Sequence, residues 1–109
     1  MSRNLAQIVP SAYTPAAPPT VSIGTSSATV LATTTSGKMR IKLRIQNSHA
    51  SNTLYLREDG GTVTSGAGGH HLKLGPGQGW DWDDRIPQGA ITGIADAAGT
   101  TVAVTYAEV

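Results

Sequence analysis

Cysteine and phenylalanine are both absent from these 109 residues, and charged side chains make up only 14% of them. Without cysteine there is neither a disulfide framework nor a thiolate-ligated zinc site. Without phenylalanine, and with aromatics at 5%, a core must be built mainly from Ile, Leu, Val and Ala. A formal net charge of +1 lacks the basic excess of a nucleic-acid-binding domain, so no nucleic-acid partner is expected. No apolar run approaches the roughly 20 residues that a helical membrane span needs. The opening MSRNLAQIVPSAYTPAAPP has no apolar stretch of the secretory-signal kind. The expectation is a soluble, cytoplasmically made protein without a membrane partner. At this length one modest core is available, burying roughly 60–68% of the surface the unfolded chain exposes.

Proline is present but unevenly spread. Four of the six prolines, Pro10, Pro15, Pro18 and Pro19, fall in the first 19 residues among Ala, Ser and Thr. Each fixes φ, removes a donor and biases its predecessor toward extended geometry, which excludes a helix interior or a central strand over residues 10–19. Residues 1–19 therefore read as an extended arm and residues 20–109 as the folded domain. At about 3.3 Å per residue the arm reaches roughly 60 Å, enough to cross a neighbouring subunit. Leu5, Ile8, Val9 and Tyr13 punctuate it as apolar anchors and are the expected partner-binding residues. Asn4 to Ile8 has the composition for one helical turn that needs a partner surface to hold it.

From Thr20 the hydrophobic pattern has period two, with turn residues about every ten positions, the signature of an antiparallel sandwich or barrel. Expected strands are 20–23, 28–32, 39–47, 53–58, 71–74, 80–83, 90–95 and 101–106. In the longest, Met39, Ile41, Leu43 and Ile45 alternate with Arg40, Lys42, Arg44 and Gln46, which assigns the first set to the core and the second to the surface. Gly93 falls where the alternation is expected to slip, marking a bulge. Asp59 to Gly69, DGGTVTSGAGG with five glycines, reads as a mobile loop with little to bury. The fold class is all-β: a single antiparallel β-sandwich, jelly-roll-like, of about eight short strands, with the extended N-terminal arm.

Several residue groups invite chemistry. His70 and His71 near Asp81, Asp83 and Asp84 suggest a metal site, but neighbouring strand residues point to opposite faces, so two surface histidines are expected and no metal is assigned. The Asp81-Trp82-Asp83-Asp84 run lacks the glycine turn and distal glutamate of a calcium loop. No serine sits in a nucleophile elbow, and nothing brings Asp83 and Glu58 together as an acid–base pair. The glycine-rich loop has no phosphate-binding lysine. No catalytic residue, cofactor or enzymatic activity is expected. Trp80 and Trp82 share one strand face and are assigned to the core or an intersubunit pocket, with a sugar-stacking platform as the alternative. Lys38, Arg40, Lys42 and Arg44 form an outward basic row, either a solvated face or an interface with an acidic partner. Arg40, Lys42, Arg44, Trp80 and Trp82 are thus the candidate interface residues.

Ile45-Gln46-Asn47-Ser48, Asn52-Thr53-Leu54-Tyr55-Leu56, Leu74-Gly75-Pro76-Gly77, Gly89-Ala90-Ile91 and Gly99-Thr100-Thr101-Val102-Ala103-Val104 together form a pattern that resembles small virion proteins of tailed bacteriophages, over residues 20–109. The resemblance implies a capsid decoration, or cement, protein on the capsid surface of the virion. Its implied partners are the major capsid protein and copies of itself, as a homotrimer. A tail, baseplate or head-fibre component is the alternative within that class, and a carbohydrate-binding module the alternative outside it.

Overall fold

A computed structural model of the chain describes residues 20–109, so the anchors Leu5, Ile8, Val9 and Tyr13 lie outside the described residues. Eight strands follow one another: β1 (Thr20–Ile23), β2 (Ala28–Leu31), β3 (Arg40–Asn47), β4 (Leu54–Arg57), β5 (Leu72–Leu74), β6 (Gly79–Trp82), β7 (Ile91–Ala95) and β8 (Thr100–Glu108). Sheet A has the order β1-β8-β3-β6 and sheet B the order β2-β7-β4-β5. Every pairing is antiparallel.

This order has a simple derivation. If the chain is folded in half between β4 and β5, strands meet 4 with 5, 3 with 6, 2 with 7 and 1 with 8. Rolling that ribbon on itself adds the contacts of β8 with β3 and β7 with β4. The result is the jelly-roll connectivity, and the all-β sandwich expected from the hydrophobic alternation is observed. The expected strands are all present, with ends shifted by one or two residues.

Between the sheets lies an aliphatic core that includes Ile23, Leu43, Ile45, Leu54, Leu56 and Ile91. Each such side chain stabilises the fold by about 1.5–3 kcal/mol when fully buried. The branched residues that form good pleated surfaces thus also supply the volume that phenylalanine does not.

Three features depart from the expected pattern. The first is in β3, where Arg40 pairs with Glu108 and Lys42 with Ala107, leaving Ile41 as an extra residue. This bulge reverses the alternation. Arg40 turns inward and is 2% exposed, whereas Met39 and Ile41 are exposed rather than in the core. The second is at Gly93. The irregularity lies in the partner strand β2, where Val30 is the unpaired residue between Thr29 and Leu31. In β7 itself Ile91, Gly93 and Ala95 keep phase and are all buried. Glycine is needed because a Cβ there would sit 2.6 Å from Val30 Cγ2 and 3.3 Å from Leu56 Cδ2.

The third is the Asp59–Gly69 loop, expected to have little to bury, which does bury a side chain and is hydrogen-bonded to its surroundings. Val63 is buried and its N–H donates to Ser27 Oγ at 3.1 Å. Thr92 Oγ1 donates to the Gly61 carbonyl at 2.7 Å, and Thr64 N–H donates to the Gly69 carbonyl at 2.9 Å. Glycine here serves close packing, since a Cβ at Gly69 would fall 1.8 Å from Thr64 Oγ1.

Candidate functional site

The outer face of sheet A carries Lys42, Arg44 and Gln46 of β3, set opposite Ala107, Thr105 and Ala103 of β8. On the other side β6 contributes Asp81, in register with Arg44. Arg44 Nη1 donates to Asp81 Oδ2 at 2.7 Å. Its guanidinium lies across Gly79, where a Cβ would approach Nη2 to 2.6 Å. Glycine at that edge position lets the arginine lie flat across β6. Both partners are well exposed, so the pair contributes at most about 1 kcal/mol. Gln46 Nε2 donates to the Gly77 carbonyl at 3.3 Å. Lys42 and Arg44 therefore share the outward face that the alternation assigns them.

Arg40 does not join this row. Its guanidinium donates through Nη1 to the Pro87 carbonyl and through Nη2 to the Ala32 carbonyl at 2.8 Å. Around it, Gln88 Oε1 accepts from Arg40 N–H at 2.6 Å and Gln88 Nε2 donates to Arg40 O at 2.8 Å. Desolvation lowers the guanidinium pKa from its ordinary value, with the charges of Glu108 and then Tyr106 opposing that shift. The side chain thus ties the 32–38 and 83–90 loops to sheet A from inside. Its inward turn is the direct consequence of the Ile41 bulge, which no periodicity of residue types marks.

Trp80 and Trp82 do share a face, opposite Ile45 and Leu43 on the inner side of sheet A. Their environments differ. Trp82 packs against the core, and its Nε1 donates to Glu58 Oε2 at 3.2 Å. Trp80, farther along the same edge strand, is 47% exposed. The pair is one structural tryptophan and one surface indole, and it does not form a platform of two exposed rings.

The two histidines lie just before β5 rather than in it, with a bend at His71, and they have different partners. His70 meets Tyr55 edge-on at 4.9 Å between ring centroids, and its Nδ1 lies 3.1 Å from the Thr64 carbonyl. His71 Nδ1 accepts from Glu58 N–H at 3.1 Å. Among the described residues no three His, Asp or Glu side chains converge on a point that could hold an ion. Asp59 accepts from Arg57 Nε at 2.6 Å and Nη2 at 3.0 Å, and from Gly61 N–H at 2.9 Å. These bonds, that from Arg57 foremost, lower its pKa from 3.8 to about 2.

Asn47 is a polar residue inside the sandwich, in the phase of Leu43 and Ile45. Its Nδ2 donates to the carbonyls of Asn52 at 2.7 Å, Leu74 at 3.0 Å and Gly75 at 3.1 Å. Its Oδ1 accepts from His49 N–H at 3.0 Å. One amide thereby locks the turns at one end of the sandwich. The sequence signal for it was an asparagine at an inward position of the longest strand.

At the other end, large apolar side chains come to the surface. Met39, Ile41, Tyr106 and Val109 are all exposed. Met39 and Val109 exchange two backbone hydrogen bonds of 2.9 Å, so they sit side by side at the end of the β3–β8 ladder. Compared with protein-family models, curated proteins and solved structures, the chain gives no match.

Proposed function

We propose that this chain is a structural protein of a virus particle, a capsid decoration protein that binds the outside of a tailed bacteriophage's major capsid shell and stabilises it. The observation that carries the reading is the exposed apolar end of sheet A. A cluster of Met39, Ile41, Tyr106 and Val109 beside a regular ladder suits a polypeptide partner better than a small substrate. The jelly roll itself is shared by viral capsid domains, lectins and cupins, and as a fold-level analogy it favours this class without deciding among its members. Of the polar groups weighed as metal ligands, His71 accepts from Glu58 N–H and Asp81 from Arg44. By composition and length the proline-rich residues 1–19 suit a tether between protomers, and many such contacts on a shell would add up through effective concentration.

Purified protein mixed with undecorated shells should bind at a fixed number of copies per shell and raise the temperature at which shells disrupt. Shells that neither retain the protein nor gain stability would end this reading. A few copies per particle rather than hundreds would move the protein to the tail or head fibre. The second reading, a carbohydrate-binding module, draws on the exposed Trp80 indole; it requires glycan binding by the isolated protein that Trp80→Ala removes.

A further inference from the structure

Aspartate followed directly by glycine occurs once in the sequence, at Asp59-Gly60. The junction is chemically labile, because glycine has no Cβ to hinder its own nitrogen from reaching the preceding carboxyl carbon. The Gly60 nitrogen attacks Asp59 Cγ and an N–Cγ bond forms. The Cγ–OH bond breaks, and the hydroxyl and the amide proton leave together as water. A second water reopens the five-membered imide at one of its two carbonyls. Attack at Cγ restores aspartate, whereas attack at the main-chain carbonyl carbon leaves an isoaspartyl residue with its Cβ built into the backbone.

Asp59 and Gly60 are both exposed, in the turn that follows β4. Gly60 has φ 76°, and no hydrogen bond to another described residue engages its N–H. The carboxyl, by contrast, is fully engaged. Arg57 donates to both of its oxygens, through Nε to Oδ1 at 2.6 Å and through Nη2 to Oδ2 at 3.0 Å. Gly61 N–H donates to Oδ1 at 2.9 Å. The fit is close, since a Cβ at Gly61 would stand 2.9 Å from Arg57 Nε and 3.1 Å from Asp59 Oδ1.

Two obstacles to ring closure follow. The bonds favour the ionised group and hold its pKa down to about 2, so the protonated form that can lose water is rare at neutral pH. They also fix the direction of the carboxyl, and Cγ must give up all three before it can swing onto the Gly60 nitrogen. A second junction open to the same chemistry, Asn47-Ser48, is closed in another way. Asn47 is fully buried, its Nδ2 is spent on three carbonyls, and the attacking nitrogen of Ser48 donates to the Thr101 carbonyl at 2.9 Å.

The geometry points to Asp59–Gly60 as the site of spontaneous backbone isomerisation in this chain, with Arg57 as the positioning residue that holds the reaction in check. The product matters to the fold. An isoaspartyl residue adds one backbone carbon just before Gly61, whose carbonyl accepts from Thr92 Oγ1 at 2.7 Å, and shortly before the buried Val63. The added length pulls both from their seats, so isomerisation at this one junction releases the 59–69 loop. The inference stands apart from the assembly reading, because the chemistry is confined to one chain.

The test uses the full-length protein in heavy-oxygen water. Each passage through the imide places one heavy oxygen at residue 59, and peptide mass mapping reads both that label and the isoaspartyl product. The folded chain should label at least about tenfold more slowly than the same chain in urea. Arg57→Gln should speed labelling several-fold while Asn47-Ser48 stays intact, which shows that the domain is still folded, and Arg57→Lys should fall between. The pH profile of the unsubstituted folded chain reads the ion pair without any substitution. Its rate should climb about tenfold per pH unit down to about pH 3, whereas an ordinary aspartate levels off near pH 4. Equal rates folded and unfolded, no gain from a folded Arg57→Gln chain, or levelling near pH 4 would overturn the inference. If Arg57→Gln unfolds and Asn47-Ser48 reacts as well, the pH profile decides.

Discussion

Replacing Arg40 by methionine tests whether a buried cation holds this sandwich together. Two effects oppose each other. Removing the guanidinium takes a charged donor from the part-buried bonds to the Pro87 and Ala32 carbonyls, at about 1.5–3 kcal/mol for each hydrogen bond made by a charged group. It also removes a desolvated charge with no carboxylate in hydrogen-bonding contact, whose burial costs several kcal/mol before compensation. The bonds between Gln88 and the Arg40 main chain survive any side chain, so part of the tie to the 83–90 loop persists. Because two separate loops depend on one side chain, loss of the donors should prevail and the domain should lose about 2–4 kcal/mol. In a domain of this size that lowers Tm by roughly 10–30 °C, at 4–8 °C per kcal/mol. Arg40→Lys should recover part of the loss, since an ammonium keeps the charge but lacks the planar fork that reaches both carbonyls. Urea and thermal unfolding followed by circular dichroism give the numbers, with an unchanged m-value as the check that one transition is compared. If Arg40→Met is within about 0.5 kcal/mol of the parent, the charge's desolvation cancels its bonds, and Arg40 is not the clamp argued above.

Gly93→Ala should destabilise by about 1–3 kcal/mol through overpacking against Val30 and Leu56, and Val30→Ala in the same chain should restore part of the loss; strictly additive losses would show that the two sites do not touch. Asp59, whose pKa is lowered from 3.8 to about 2 by Arg57 and the Gly61 N–H, contributes stability that is fully present above about pH 4 and lost as pH falls through about 2. Carboxyl NMR titration should place its midpoint near 2, and Asp59→Asn should remove its share of the pH dependence in that window; a midpoint close to 4 would contradict the Arg57 contact. Trp82→Ala should lower stability because its ring packs on the core and its N–H bonds Glu58. Trp80→Ala should leave the unfolding midpoint nearly unchanged, and an equal loss from both would mean that their environments have been misassigned.

Much of the fold was legible because strand alternation and turn residues are local properties. The eight strands, the aliphatic core and the antiparallel sandwich all follow from period-two runs broken by Gly, Pro, Asn and Ser. The errors have one physical origin. A bulge is set by the partner strand and by the hydrogen bonds that reward it, neither of which is visible in a single strand's residue pattern. Read alone, Met39-Arg40-Ile41 continues the alternation of Leu43 and Ile45. Paired with β8, it is out of phase, because Ile41 has no opposite number. The burial within the 59–69 loop was missed for a related reason. Glycine content signals freedom in the unfolded chain, yet Gly61 and Gly69 serve here to let Arg57 and Thr64 approach the backbone, and Val63 provides the buried anchor. The tryptophans were correctly placed on one face, but their division into buried and exposed depends on what the opposite sheet covers.

The same irregularity links the interior of the protein to its surface. One residue inserted into β3 sends Arg40 inward, where it ties two loops to sheet A, and leaves Met39 and Ile41 outside, where they join Tyr106 and Val109. A regular strand would have done the opposite, burying the two apolar residues and extending the basic row of Lys42 and Arg44 by one cation. The exposed apolar end of sheet A and the internal clamp are therefore joint products of one register choice. A protomer optimised solely for its own stability has reason to bury isoleucine and methionine and to leave arginine in water. That this one does the reverse, at the end where Met39 and Val109 close the β3–β8 ladder, is the observation on which the proposed docking of another polypeptide rests.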